Sequence, residues 1–182
     1  TQSISSDRTL TETQGIMVHD FVKKADKLKA DIRWFLLSPD RWRTSRVKTS
    51  LTWSYLKFSR ANLPKVPQKP GVYAFIVRHI NNHFPDHGFI MYIGITGSNN
   101  NGRTLNDRYK DYLREQKVNK RPKVFYMLDK YSNDIHFAFS PIVGKKNVDL
   151  VALELDLNDA IIPPVVVKDF SAEIRELVKA MT

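Results

Sequence analysis

"FIMYIGI", residues 89 to 95, is the stretch on which the fold turns. Its β-branched and aromatic residues predict a buried strand, but the run carries Tyr92, breaks at Gly94 and dissolves into the polar "TGSNN" of residues 96 to 100. A second run of the same kind, "GVYAFIVR" at 71 to 78, precedes it, and the polar segment "HINNHFPDHG" separates the two. Together they predict a hairpin with a long connection. Strand alternation sets Tyr73 on one face with Phe75 and Val77, and Tyr92 on one face with Ile90 and Gly94. Gly94 leaves a space beside Tyr92 that a ligand can fill.

Downstream, Thr104 and Asp107 form a capping pattern that opens a helix over about 105 to 117. "IHFAFSPI" predicts a strand near 135 to 142, followed by helices over about 148 to 160 and 171 to 180. Strands mixed with helices without a βαβ rhythm indicate an α+β domain. Upstream, residues 1 to 15 are rich in Ser, Thr and Gln and are expected to be disordered. Met17, Phe21, Ala25, Leu28, Ile32 and Phe35 recur at helical spacing, which predicts a helix over 17 to 37 ended by Ser38 and Pro39. "ANLPKVPQKP" at 61 to 70 reads as an extended linker. The expected organisation is therefore a tail at 1–15, a basic and mainly helical extension at 16–68, and a domain at 69–182.

The chain has 182 residues, enough for one sizeable core. Its 29 basic and 19 acidic residues leave a formal charge of +10, which favours a polyanionic partner. Arg41, Arg43, Arg46 and Lys48 are interleaved with Trp42, Trp53, Tyr55 and Phe58, a mixture that suits phosphates and bases and equally suits packing beneath a solvated cationic face. Arg103 and Lys110 add candidate backbone contacts beside the first downstream helix. No cysteine is present, so disulfides and thiolate metal sites are excluded. With no signal-peptide pattern and no apolar run approaching the ~20 residues of a membrane span, the expected location is intracellular, cytoplasmic or nucleoid. His79, His83 and His87 raise a zinc site, but Pro85 and Gly88 oppose a helix that would align them, and no fourth ligand is evident.

Two polar residues stand where the helices should be apolar. In the 148–160 helix, Leu150, Leu153, Leu157 and Ile161 form the apolar face, and Asp149, Asp156 and Asp159 lie opposite. Glu154 projects from the leucine face, with Asn158 one turn on. An unpaired carboxylate there costs several kcal/mol, so it calls for a cation, a metal ion or a proton. In the 105–117 helix, Arg108 shares a side with Leu105, Tyr109 and Tyr112. Two arrangements stand open: Glu154 and Arg108 pair in the core, or Glu154 holds a metal ion while Arg108 and the tyrosines grip a phosphate.

Residues 71 to 170 resemble the GIY-YIG nuclease family. "GVY" at 71–73 is similar to its first motif and "YIG" at 92–94 to its second; Arg108 and Tyr112 match its helix arginine and the following-turn position, and Glu154 its metal-binding glutamate. The resemblance implies a small three-stranded sheet flanked by helices, and divalent-metal-dependent endonuclease cleavage of phosphodiester bonds, with double-stranded DNA the expected substrate and RNA the alternative. Tyr73, Tyr92, Arg108, Tyr112 and Glu154 would be the catalytic residues, with Glu154 binding Mg²⁺ or Mn²⁺. Tyr73 would act as the base for the attacking water or help position it, Arg108 would stabilise the charge developing on phosphorus, and Tyr92 and Tyr112 would order phosphate and water. Where members place an asparagine, "IIPPVVVKDF" has valines at 165 to 167, and Asn158 or Asp169 is the available substitute. A binding module of the same fold with weakened catalysis is the alternative. One such site cuts one strand, so double-strand cleavage implies a dimer or two visits.

Overall fold

The computed structural model describes residues 20–80, 83, 85–98, 102–142, 148–166 and 168–181, and the expectation for residues 1–15 lies outside them. Two units divide between Trp34 and Phe35. In the first, residues 20–31 form a helix (α1) with ion pairs Lys24–Asp20 at 2.6 Å and Lys29–Asp26 at 3.6 Å, each spanning one turn. The apolar spacing runs on to Phe35, yet the helix stops at Asp31. The Arg33 guanidinium donates to the Ala30 and Ile32 carbonyls and closes that end.

In the second unit, Gly71–Val77 (β2) and Phe89–Thr96 (β3) form the expected antiparallel hairpin, and Ile135–Pro141 (β4) pairs with the other edge of β2. The sheet has four strands, however, not three: Ser54–Lys57 (β1) pairs antiparallel with β4, giving the order β1-β4-β2-β3. The architecture is α+β, and part of the basic segment expected to be helical is a strand. Only Leu56 of β1 is even half-buried, so its pattern does not announce a strand. Main-chain pairing makes it one, and Phe58 N–H donating to Ile135 O extends the pairing by a residue. Before it comes a short helix, Pro39–Arg43 (α2), with proline at its first position.

The linker at 61–70 is not extended. A 3₁₀ helix occupies Arg60–Lys65, and the following residues strap the start of Leu105–Val118 (α3): Lys69 O accepts from Leu105 N–H and Pro67 O from Asn106 N–H. The Asn106 amide donates to Leu63 O and Val66 O, at 3.0 and 3.1 Å. These bonds, with the expected Thr104–Asp107 capping box, satisfy the amides that a helix N-terminus leaves without partners.

The sheet is covered on both faces. Tyr73, Phe75, Ile135, Phe137 and Phe139 pack against Leu105, Tyr109 and Tyr112 of α3 and against Val124, Met127 and Leu128 of Pro122–Lys130 (α4). Val72, Ala74, Ile93, Ile95 and Ala138 pack against Leu150, Leu153 and Leu157 of Leu150–Ile161 (α5). The final helix, Ala172–Met181 (α6), joins a smaller cluster of Val166, Phe170 and Ile174 beside Tyr92. Among the described residues, no helix is long and apolar enough to cross a membrane.

One irregularity matters for the site. Phe75 pairs with Tyr92 and Ile76 with Ile90, so Met91 is an extra residue in β3, a β-bulge. Its carbonyl accepts from Val165 N–H at 3.1 Å, which ties the chain after α5 to β3 immediately beside Tyr92.

Candidate active site

The two glycines of the tyrosine tripeptides have steric reasons. A side chain at Gly71 would run into the Ser140 carbonyl of β4. A Cβ at Gly94 would lie 2.6 Å from the Tyr73 hydroxyl oxygen and 2.7 Å from its Cζ. Tyr73 and Gly94 are register partners on β2 and β3. The space opened by Gly94 is therefore occupied by the end of the Tyr73 side chain, which corrects the expectation that it is left for a ligand. Gly94→Ala is expected to destabilise the fold by about 1–3 kcal/mol, measured by urea unfolding, because Tyr73 is itself boxed in by the core.

The three site tyrosines form one cluster. Tyr73 is 1 % exposed and stacks on Phe137 at 5.4 Å between ring centroids. Its hydroxyl lies 3.0 Å from that of Tyr112, which α3 brings over the sheet. Tyr92 lies 6.2 Å from both rings, stacked on Tyr73 and edge-on to Tyr112. Burial, and then the neighbouring tyrosines, push the Tyr73 hydroxyl well above its ordinary value. Tyr92 is raised by burial, then by Tyr112, with Asp169 and Glu154 contributing in the same direction. Burial therefore favours the neutral phenol at both positions.

Arg108 and Glu154 reach the cluster from opposite layers, α3 and α5. They are not a mutual ion pair: Arg108 has its ion pair with Asp111, at 4.0 Å. The Arg108 Nε is buried with no hydrogen-bond partner, although the side chain is partly open to solvent. Its charge acts to lower the pKa of both Tyr73 and Glu154. The Glu154 carboxyl is pushed up to about 7, by burial first and by the Asp169 carboxylate second, against a hydrogen bond from the Ile95 amide and the Arg108 charge.

A second carboxylate, Asp169, acts electrostatically on both Glu154 and Tyr92. It follows "IIPP", on the segment anchored by Val165 to the Met91 carbonyl. Glu154 and Asp169 together offer hard oxygen donors, which suit an ion such as Mg²⁺ or Mn²⁺ that takes one or two carboxylates and keeps water. Among the described residues, no group of three or more His, Cys, Asp or Glu is gathered. Asn158, the other substitute considered, is fully buried on α5, and neither its amide nitrogen nor its oxygen has a partner. Asn158→Leu, which matches it in heavy-atom number and branching but is bulkier, is expected to stabilise the protein by about 1 kcal/mol, seen as a melting rise of roughly 2–4 °C, because the removal of two unsatisfied buried groups outweighs the tighter packing.

The basic residues expected to meet nucleic acid divide into two kinds. Arg41 donates through Nε and Nη2 to the Asp159 carbonyl, at 3.1 and 2.5 Å, so it caps the C-terminal turn of α5. Arg43 is exposed and pairs with Asp40. Arg46 and Lys48 are exposed. Arg103 pairs with Asp111, and exposed Lys110 with Asp107 at 3.7 Å; both line an open hollow along α3 with Arg114. Compared with family models, curated proteins and solved structures, the chain matches none.

Proposed function

We propose that the chain is a divalent-metal-dependent endonuclease of GIY-YIG type that hydrolyses phosphodiester bonds in DNA. The observation that carries this reading is the convergence of Tyr73, Tyr92, Arg108, Tyr112 and Glu154, from β2, β3, α3 and α5, with a buried Arg108 nitrogen lacking any protein partner. The guanidinium is partly open to solvent beyond that nitrogen, so its outer edge suits a phosphate oxygen.

Glu154 and Asp169 would hold Mg²⁺ or Mn²⁺, which when bound supplies Lewis acidity at the phosphate and acidifies water. Arg108 balances charge that develops on the phosphate oxygens. The Tyr92 and Tyr112 hydroxyls orient the phosphate, and Tyr73, kept protonated by burial, fixes Tyr112 through their 3.0 Å hydroxyl contact. Supercoiled plasmid incubated with the protein and Mg²⁺ or Mn²⁺, beside an EDTA control, tests the reading. Metal-dependent nicking or linearisation supports it; salt-sensitive binding without any cutting makes the chain a binding module of the same fold.

A further inference from the structure

α3 carries a third polar residue on the face that bears Arg108 and Tyr112. Glu115 stands at the next helical interval, is 5 % exposed, and would be a costly buried charge without a partner. Its partner is Arg121. One Glu115 carboxylate oxygen accepts from the Arg121 main-chain amide at 2.5 Å, and the other from Arg121 Nε at 3.4 Å. Arg121 is the N-cap of α4, and Pro122 at the next position restricts its backbone to φ −122°, ψ 89°. The guanidinium carbon then lies 4.6 Å from the centroid of the Tyr112 ring.

This is a prepared cation rather than a loose surface arginine. Glu115 holds it from below at Nε, Tyr112 supports its face, and the side chain remains 40 % exposed. Burial opposes its charge, but the Tyr112 and Tyr92 hydroxyls and the Glu115 carboxylate outweigh that and raise its pKa. Arg121, over Tyr112, and Arg108, whose charge acts on Tyr73, therefore both reach the tyrosine cluster. The turn around Arg121, "KRPK" at 120–123, adds Lys120 and Lys123, both exposed. Two guanidiniums at one tyrosine cluster, continued by a cationic turn, suit a chain of phosphodiesters more than one isolated phosphate.

We infer that Arg121 is a second phosphate-binding residue of the cleft, gripping the nucleic-acid backbone, and that Glu115 is its positioning residue. The inference rests on the nucleic-acid reading above but not on catalysis. Its test is the affinity of the full chain for a fluorescent 30-bp DNA duplex in EDTA, across a salt series, for wild type, Arg121→Gln and Glu115→Gln. Arg121→Gln keeps a hydrogen-bonding group near Glu115 and removes the charge together with the guanidinium plane over Tyr112. It is expected to weaken binding roughly fivefold at low salt and to flatten the slope of log K against log salt by about one. Glu115→Gln should weaken binding less and leave the slope as in wild type, because Arg121 keeps its charge. Near-ultraviolet circular dichroism verifies that each variant is folded, and Arg121→Lys, which preserves the charge, replaces Arg121→Gln in the series should the latter unfold; it is expected to keep the slope and lose affinity with the fork geometry. A folded Arg121→Gln, or Arg121→Lys in its place, with wild-type affinity and slope overturns the inference while leaving cleavage by wild type intact. A wild type that binds but does not cut defeats the nuclease reading and leaves the inference standing on its slope.

Discussion

Glu154→Gln is expected to lower metal-dependent plasmid cleavage by about a thousandfold, the several kcal/mol that a catalytic cation supplies, while salt-sensitive DNA binding persists. A second readout follows from the raised pKa of this carboxyl, pushed to about 7 by burial and by Asp169. The folded state binds the proton more tightly than the unfolded chain. The associated stability is fully present below the unfolded value near 4.5 and is lost as pH rises through about 7. Wild type in EDTA should therefore melt lower at pH 8 than at pH 5, by a margin that shrinks in Glu154→Gln. Adding Mg²⁺ at pH 8 should recover part of that loss in wild type and none in the variant. Equal melting responses in the two proteins would remove Glu154 from the metal site.

Arg108→Ala is expected to cut cleavage by roughly a hundred- to a thousandfold, as removal of one preorganised donor does at comparable sites. Its stability should change by no more than about 1 kcal/mol, the packing of its half-buried stem, since Nε has no partner to orphan and Asp111 retains Arg103. Arg108→Lys should recover little activity, because a point charge lacks the planar fork. Urea unfolding beside plasmid cleavage separates the outcomes. A large stability loss in the alanine variant would make Arg108 a structural residue.

Much of the site was legible because each element states its own period. The 3.6-residue repeat placed Arg108 and Tyr112 together and set Glu154 on a leucine face; strand alternation set Tyr73 with Phe75 and Val77, and Tyr92 with Ile90 and Gly94. What escaped the sequence depends on partners far along the chain. β1 has no apolar pattern of its own, and its strand character comes from β4, some 80 residues later. The helix α4 begins at Pro122 and is only 9 residues long, too short for its apolar spacing to stand out from the flanking lysines. Arg121 and Glu115 sit on different elements, so no helical interval links them. Asp169 was visible only as a substitute for a missing asparagine, because its place depends on Val165 reaching the bulged Met91 carbonyl. The Gly94 expectation went astray for a related reason: alternation along one strand does not show what crosses from its neighbour.

The bulge at Met91 also divides the hairpin into two provinces. On one side, Tyr73, Tyr92 and Gly94 keep an uninterrupted register; on the other, Ile76 and Val77 pair on toward a polar tip fastened by the Arg78–Asp86 ion pair. A register error introduced at the tip can be absorbed at the bulge before it reaches the tyrosines. The tip is accordingly the place where the chain tolerates extra length, and where a loop of another size, or an inserted reporter, can be grafted without disturbing the tyrosine cluster beneath it.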